Sequence, residues 1–277
     1  MGGGQNLSAG ITLAFHSYKG GTGKTTVITN LAANLAMMGK RVCLLDFDLY
    51  APSLTTYFQK NPETYLNSFL ASEAEISEVL VDLSPELKLN GKLLIGFSSP
   101  KKEDIHEIEI NHDMKWQYKA LKRIIAAKKE LFSKYKIDYL LIDTSPGIRY
   151  WAINALAIAD VLFLMMKLNE MDIAGTKKMI DEIYESLTKF GSEYFVILNK
   201  VPGALPIHEI HNNKEIITEI ENQIGIKIIE SIPCFCEIQF NKHEFLTTIK
   251  KPNHAFSERV RSIAEKITEM EYNAQGE

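Results

Sequence analysis

A glycine-rich stretch near the N-terminus limits the folds open to this chain more than any other feature does. From residue 18 to residue 26 it reads Tyr-Lys-Gly-Gly-Thr-Gly-Lys-Thr-Thr. The apolar run at residues 11–15 predicts a buried parallel strand before it, and residues 27–38 predict a helix after it. A glycine-rich loop in that setting, ending in Gly-Lys-Thr, is typical of a phosphate-binding loop.

The residue types in this loop suit phosphate chemistry. Its glycines let the backbone turn tightly, so that successive N–H groups point at phosphate oxygens. The helix that follows adds unpaired N–H groups and the positive end of its dipole. Lys24 brings a full positive charge to the β- and γ-phosphates, and the hydroxyl of Thr25 is a ligand for Mg²⁺. The predicted nucleotide-binding residues of the loop are Gly20, Gly21, Thr22, Gly23, Lys24, Thr25 and Thr26.

The loop departs from the usual pattern at its first position. That pattern begins with Gly, whereas this sequence has Tyr18 there and a second lysine, Lys19, directly after it. The string Lys-Gly-Gly-x-Gly-Lys-Thr-Thr resembles the deviant Walker A motif of the ParA/MinD family of ATPases. The resemblance implies that Lys19 reaches across a dimer interface to the phosphates bound by the partner, as an arginine finger does. The alternative is an ordinary exposed lysine.

Two carboxylates follow the second predicted strand, at residues 41–45. Asp46 and Asp48 alternate at its end, so their side chains are expected to share a face near the phosphate loop. This string resembles the segment that the family uses as its first switch. The resemblance implies that Asp48 orients the attacking water and bears on the Mg²⁺ shell, while Asp46 supports the metal site. The alternative is an acidic loop that caps the next helix.

A third motif ends another apolar strand. Residues 137–142 lead into Asp143, followed by Thr-Ser-Pro-Gly. This is the Walker B arrangement, in which Asp143 holds a water of the Mg²⁺ shell. The turn resembles the family's second switch, whose backbone lies close to the γ-phosphate. The alternative for Asp143 is a carboxylate that only caps a turn.

Later parts of the chain supply candidates for contacts with adenine and with a partner subunit. Asn199, after the predicted strand 194–198, resembles the family's adenine-recognising residue, and its amide both donates and accepts hydrogen bonds. Pro233 lies in the loop that the family places around the adenine. Glu170 matches an acidic residue that contacts nucleotide at the dimer interface of MinD-like proteins. The alternatives are a turn residue for Asn199 and a helix N-terminal acid for Glu170.

The middle of the chain contains fewer residues that indicate a function. Residues 66–80 predict one acidic helix, residues 92–97 a short strand, and residues 114–136 a long amphipathic helix. The remaining surface of the long helix is rich in lysine. That surface permits non-specific DNA binding, although a solvated helix face is the commoner explanation. The predicted buried face of the long helix is Leu121, Ile124, Ile125, Leu131 and Phe132.

The composition and the last helix indicate where in the cell the protein is expected to be. Three cysteines in 277 residues and a net charge of -4 indicate neither a disulfide framework nor a globally basic surface, so we expect a cytoplasmic protein. Cys234 and Cys236 leave open a metal shared across a dimer, although their position matches the adenine loop instead. The last helix, at residues 255–270, precedes an acidic tail. We therefore expect it to pack on the core, without stable membrane anchoring.

Strands alternate with helices along the whole chain. This predicts an α/β fold with one doubly wound, mainly parallel sheet flanked by helices, as in P-loop NTPases. Residues 1–10 are expected to form a flexible lead-in and residues 11–277 a single domain.

The resemblance implies a Mg²⁺-dependent ATPase that forms a homodimer around ATP and separates after hydrolysis. Such a switch would position or partition a cellular cargo through a protein partner that the sequence does not identify. A carrier or insertion ATPase, delivering metal, Fe–S clusters or membrane proteins, is the first alternative. A nucleotide-binding regulator without hydrolysis is the second.

Overall fold

The computed structural model of the protein describes residues 10–110, 114–184, 192–202, 210–239 and 245–274. Strands and helices alternate along this part of the chain. The strands are β1 (Ile11–His16), β2 (Arg41–Phe47), β3 (Leu80–Asp82), β4 (Lys92–Gly96), β5 (Tyr139–Thr144), β6 (Val161–Met166), β7 (Glu193–Val201) and β8 (Ile228–Pro233).

The helices differ widely in length, and a π-helical turn, Ile180–Tyr184, continues one of them. They are α1 (Lys24–Met37), α2 (Leu54–Phe58), α3 (Leu66–Ala71), α4 (Ile76–Val79), α5 (Ser84–Leu87), α6 (Lys102–Ile110), α7 (Met114–Ser133), α8 (Tyr150–Ala157), α9 (Glu170–Met179), α10 (Ile210–Ile224), α11 (Cys236–Gln239), α12 (Thr247–Lys250) and α13 (Ala255–Ala274).

The eight strands form one sheet in the order β3-β4-β2-β5-β1-β6-β7-β8. All neighbouring pairs are parallel except β3 and β4, which are antiparallel. The predicted doubly wound, mainly parallel α/β fold is therefore confirmed. Because β1 lies between β5 and β6, the glycine-rich loop opens at the centre of the carboxyl edge, where such sheets bind their ligands.

Two apolar layers cover the faces of the sheet. One contains side chains of α1 and α13, such as Leu31 and Ile263, and the other contains side chains of α7 and α8, such as Leu131 and Trp151. The central strands are apolar on both faces because both faces are covered. The last helix packs against α1 and β8. Within the described residues, no helix combines the length and the apolar character needed to cross a bilayer.

Two local predictions were wrong. Residues 66–80 form two helices and the start of β3, because Ser72 ends α3 in the left-handed region at φ 70° and Glu75 begins α4 with a capping box. Ile125 does not belong to the buried face of α7, since 40% of it is exposed. Apart from Gly10, the predicted flexible lead-in lies outside the described residues.

Candidate nucleotide-binding site

The glycine-rich loop joins β1 to α1 and contains backbone conformations that favour glycine. Gly21 and Gly23 have φ angles of 76° and 89°, in the left-handed region that favours glycine. The ammonium of Lys24 is buried and donates a 3.0 Å hydrogen bond to Ser17 Oγ. That hydroxyl in turn donates to the carbonyl of Lys19 at 2.7 Å. These two hydrogen bonds therefore hold the loop around Lys24.

A cavity of about 440 Å³ lies above this loop. Its size falls within the range of small-molecule sites. The loop, the segment after β2 and the turn after β5 all contribute to its walls. The lining residues are Gly20, Gly21, Gly23, Lys24, Thr25, Thr26, Asp48, Ala51, Ser53, Tyr57, Pro146 and Lys200.

Asp143 is buried directly behind Thr25, at the end of β5. One of its oxygens accepts a 2.6 Å hydrogen bond from the hydroxyl of Thr25, while the other, also buried, has no hydrogen-bond partner within the described residues. Burial, together with the charge of Asp48, raises the pKa of Asp143 to about 6, against the opposing effect of Lys24. A buried carboxylate with an unused oxygen beside a hydroxyl is a donor set that suits a hard divalent cation.

The other two predicted carboxylates converge on the same place. Asp46 lies opposite Asp143 in the pairing of β2 with β5. It is fully buried, and its pKa is raised well above the usual value by burial and by the charges of Asp143 and Asp48. Its oxygens accept from the backbone N–H groups of Asp48, at 3.1 Å, and Leu54, at 3.4 Å. Asp46 therefore holds the segment that carries Asp48.

Asp48 itself is half-buried and lines the cavity. Burial raises its pKa, while Lys24 acts in the opposite direction. The structure thus gathers Lys24, Thr25, Asp48 and Asp143, which the sequence analysis named from three separate motifs. Crowding of carboxylates raises the free energy of the unliganded site, and a bound cation would relieve that repulsion.

The turn after β5 is tied to the loop by contacts that the motifs did not indicate. The N–H of Gly147 donates to the carbonyl of Ser17 at 2.9 Å. Thr144 Oγ1 donates to the carbonyl of Phe15 at 2.8 Å, so it accepts the 2.7 Å bond from His16 Nδ1. Burial and the charge of Lys24 lower the pKa of His16 to about 3, which keeps its ring neutral at neutral pH.

A smaller cavity of about 70 Å³ adjoins the loop on its other side. Asn199 is buried there and donates to the carbonyl of Thr22 at 2.7 Å. A Cβ atom at Gly23 would collide with the same amide, so a glycine is needed for this close approach. Asn199 and Pro233 are in strands β7 and β8, although the sequence had suggested a strand end and a loop. The lining residues are Gly23, Thr26, Asn199, Lys200, Pro233, Phe235, Ile238 and Phe256.

Two predicted residues line neither cavity. Lys19 is partly exposed, with its ammonium 5.9 Å from the centre of the Tyr18 ring. Glu170 is exposed in the first turn of α9, whose N-terminal cap is Asn169. Lys19 follows β1 and Glu170 follows β6, so both lie at the carboxyl edge of the sheet. Within one chain, therefore, neither residue lines a cavity at the phosphate loop.

Tyr18 stands where the usual motif has glycine, and its ring packs directly on the backbone of α9. A Cβ atom at Gly175 would collide with Tyr18 Cδ1 and Cε1. The deviant residue is therefore accommodated by a glycine that lies more than 150 residues later in the sequence. Because the ring rests on α9, the position of the loop depends on that helix.

The two cysteines near β8 and the lysine-rich helix α7 lie away from the phosphate loop in the sequence. Cys234 is half-buried and Cys236 is exposed. Within the described ranges, no three His, Cys, Asp or Glu side chains are arranged to hold a metal by themselves. On α7, Lys128 pairs with Asp160 at 3.0 Å and Arg123 donates to two backbone carbonyls, so part of the predicted basic face serves packing.

A phosphate loop at the central strand, with carboxylates at the ends of the two strands on one side of it, defines a P-loop nucleotide-binding protein. The family described as "AAA domain" matches residues 10–194 of the chain. That span is well over half of the sequence. The chain belongs to this family and, within it, to the ParA/MinD group of P-loop ATPases.

Known proteins resemble the chain over most of its length. The chromosome-partitioning ATPase Soj of Treponema pallidum is 26% identical over 239 residues, covering 80% of this chain and 82% of that protein. The iron-sulfur cluster carrier protein of Aquifex aeolicus is 28% identical over 270 residues, covering 93% and 67%. The structure of the septum site-determining protein MinD from Pyrococcus horikoshii, complexed with Mg-ADP, superposes with a TM-score of 0.71. It is 21% identical and covers 93% of this chain and 95% of that one, which is a likeness of fold.

Proposed function

We propose that the protein is a Mg²⁺-dependent ATPase that dimerises when it binds ATP and separates after hydrolysis, and so positions or partitions a cellular cargo. The observation that carries this proposal is that Lys24, Thr25 and Asp48 line one cavity, with Asp143 bonded to Thr25 directly behind it. A regulator without hydrolysis would not need this whole set. All four side chains are present in this chain.

The donor set fits Mg²⁺ with a nucleotide. Thr25, Asp48 and Asp143 would hold the ion, and the unused oxygen of Asp143 is a buried acceptor ready for its hydration shell. Bound Mg²⁺ neutralises charge on the phosphates. The absence of a three-ligand cluster in the described residues agrees with an ion held jointly by protein and phosphates. The MinD structure with Mg-ADP supports the same assignment.

The chain's own residues would act by position and charge. Lys24 neutralises the phosphates from beneath, and its bond to Ser17 fixes the ammonium in advance. Asp48 would orient the attacking water, because its carboxylate faces the cavity from the segment that Asp46 anchors. Asn199 and Pro233 would contact the adenine. No covalent intermediate is needed, since phosphoryl transfer depends on alignment and charge neutralisation.

Dimerisation is proposed from the residues that lie outside the cavity. Lys19 and Glu170 lie near the carboxyl edge without contacting the cavity of their own chain. Two large apolar side chains on the same edge, Ile148 and Met171, are 57% and 69% exposed. Exposed apolar side chains near charged ones are typical of a protein interface. A second copy facing this edge would supply its Lys19 to the phosphates.

The cellular role rests on similarity. Soj is a chromosome-partitioning ATPase, and the alignment with it covers 82% of that protein. The cargo and the protein partner of this chain are proposed only as a class. The ATP-driven dimer is the part of the proposal that a direct experiment addresses first.

The test is size exclusion with light scattering, in Mg²⁺ with ADP or with a non-hydrolysable ATP analogue. We expect wild type to be a dimer only with the analogue and Lys19→Ala to stay monomeric in both. Lys129→Ala, which removes an exposed lysine of α7, is the matched control and should dimerise as wild type does. A protein that is monomeric throughout, or dimeric regardless of nucleotide, contradicts the switch.

The hydrolytic role of Asp48 has its own test. Asp48→Ala should retain the dimer with ATP but release phosphate at least about 100-fold more slowly, since it loses the group that orients water. Phosphate release at the wild-type rate would remove Asp48 from the proposed chemistry. The dimer measurement on the same sample separates this outcome from loss of nucleotide binding.

A second candidate is a carrier of Fe–S clusters, favoured by the similarity to the carrier protein of Aquifex aeolicus. Cys234 and Cys236 are the accessible thiols for this role, and a dimer would bring four. Anaerobically purified protein would then contain iron and sulfide that Cys234→Ser and Cys236→Ser lose. Cys43→Ala is the control, because Cys43 is buried in β2. Full ATPase activity in iron-free protein argues against this candidate.

A further inference from the structure

A third cavity, of about 210 Å³, lies on the far side of Tyr57 from the phosphate loop. Three separate segments form its walls: the end of α2, helix α5 with the residue before it, and helix α12 with the two residues before it. Its lining residues are Tyr57, Phe58, Gln59, Leu83, Glu86, Leu87, Phe245, Leu246 and Lys250. None of the motifs described above accounts for this cavity.

The chemistry of the walls defines the kind of ligand. Three aromatic rings and three leucines make the wall mainly apolar, which favours a ligand with one or two aromatic rings. The carboxylate of Glu86 is already paired with Lys60 at 2.6 Å. Lys250 is exposed, and none of the residues that the structure describes pairs with it. Among the described residues that line the cavity, the charge without a partner is therefore the positive charge of Lys250.

The same walls are bonded to the helix of the phosphate loop. Tyr57 lines both this cavity and the one above the loop, and its hydroxyl is 2.6 Å from Thr26 Oγ1. The rings of Tyr57 and Phe245 lie 5.0 Å apart. Asn30 of α1 donates to the carbonyl of Phe245 at 2.9 Å and accepts from the N–H of Thr248 at 3.0 Å. Two walls of the cavity are thus fixed to α1.

We propose that this cavity binds a small aromatic carboxylate, with its ring on the apolar wall that the leucines and the packed Tyr57 and Phe245 rings form, and with its charge on Lys250. Binding there stabilises α2 and the Tyr57–Thr26 bond. Since α2 directly follows the segment of Asp48, the ligand also orders one wall of the nucleotide cavity. The ligand therefore tightens nucleotide binding, and nucleotide tightens ligand binding by the same factor. The coupling rests on the proposed function, because it requires a nucleotide in the site above the loop. Binding of the aromatic carboxylate to this cavity does not depend on that proposal.

The first experiment titrates the nucleotide-free full-length protein with 1-naphthoate, using calorimetry, and repeats the titration with the neutral 1-naphthamide. For ligands of this size we expect a Kd of about 1 mM for naphthoate and weaker binding of the amide. Lys250→Gln should reduce naphthoate affinity to that of the amide and leave the amide unchanged. Leu87→Trp, which fills the cavity, should abolish binding of both, while Leu89→Trp, outside the lining, should not.

The second experiment measures the affinity for ADP and Mg²⁺ with and without saturating naphthoate. We expect an increase of about 5-fold in wild type and in Lys250→Gln at its own saturating concentration. Tyr57→Phe keeps the ring but loses the hydroxyl that contacts Thr26. In this variant naphthoate should still bind, while the increase in ADP affinity should disappear.

Each result has a defined meaning. No saturable binding of naphthoate overturns the site, and equal binding of acid and amide overturns the ligand class. An unchanged ADP affinity in wild type, or coupling that survives in Tyr57→Phe, overturns the coupling through Tyr57. If ADP does not bind at all, the proposed function and the coupling both fail, while the naphthoate titration still decides whether the cavity is a binding site.

Discussion

The hydroxyl of Thr25 donates a 2.6 Å hydrogen bond to Asp143, which joins the first turn of α1 to the end of β5. The bond places the candidate metal ligands of two motifs, 118 residues apart in the sequence, in contact. It does not compensate fully for the burial of the carboxylate, whose pKa is raised to about 6. The folded protein therefore holds a proton more tightly than the unfolded chain does, and ionising Asp143 costs stability.

The first prediction follows from that shift. Because the folded pKa of Asp143 lies about two units above the usual value, stability falls as pH rises from about 4 to about 6 and then levels off. Without nucleotide, Asp143→Asn should be more stable than wild type at pH 7, by on the order of 2–3 kcal/mol. The difference in the free energy of unfolding between Asp143→Asn and wild type should vanish near pH 4. Urea unfolding at both pH values measures it.

The same variant should lose the stabilisation that Mg²⁺ and nucleotide give to wild type, because it lacks a charged ligand. Asp82→Asn is the matched control: its hydrogen bonds to Ser84 and its pairing with Lys92 lower the pKa of Asp82, so neutralising it should not stabilise the protein. An Asp143→Asn protein that is less stable than wild type at pH 7 contradicts the prediction.

The second prediction concerns the contact between Tyr18 and Gly175. Gly175→Ala should destabilise the protein by about 1–3 kcal/mol, because the added methyl group collides with the Tyr18 ring. It should also weaken nucleotide binding, since Tyr18 begins the phosphate loop. Adding Tyr18→Ala should restore part of the stability. Additive losses in this double-mutant cycle, measured by thermal unfolding, would mean that the two sites do not interact.

The third prediction concerns Asn199, which bonds the loop carbonyl of Thr22 and faces the smaller cavity. Asn199→Ala should weaken ADP binding about 10-fold, through loss of one buried hydrogen bond and of the contact with the base. The preference for ADP over GDP should fall as well. Fluorescence polarisation with labelled nucleotides measures both. Asn90→Ala, which removes a bond to the carbonyl of Met37 away from the site, is the control and should bind normally.

The sequence predicted the centre of this fold because the relevant signals are local. A strand, a glycine-rich loop and a helix are contiguous, Asp46 and Asp143 each follow an apolar run directly, and Asp48 lies two residues after Asp46. Parallel strands then bring such positions to one edge without further information. The lysine pattern of α7 was less reliable. Its meaning depends on partners such as Asp160, which lies 32 residues beyond Lys128.

The sequence motifs did not predict the contacts between segments that are far apart in the sequence. Nothing near Tyr57 in the sequence indicates that its hydroxyl meets Thr26, or that its ring meets Phe245. The hydrogen bond between His16 and Thr144 spans 128 residues. Such contacts depend on how helices and loops pack, and side-chain packing is not encoded in short periodic patterns.

The last prediction uses His16, whose pKa is lowered to about 3 by burial and by Lys24. The unfolded chain binds a proton at this residue between about pH 6.5 and 3, whereas the folded protein does not, so stability is lost as pH falls through that window. His16→Asn keeps a donor toward Thr144 but cannot titrate. Between pH 7 and pH 5 the variant should lose about 2 kcal/mol less stability than wild type does. Urea unfolding at the two pH values measures this difference.

The control is His106→Asn, at an exposed position of α6, which should lose as much stability as wild type does. Equal losses of stability in wild type and His16→Asn would contradict the prediction.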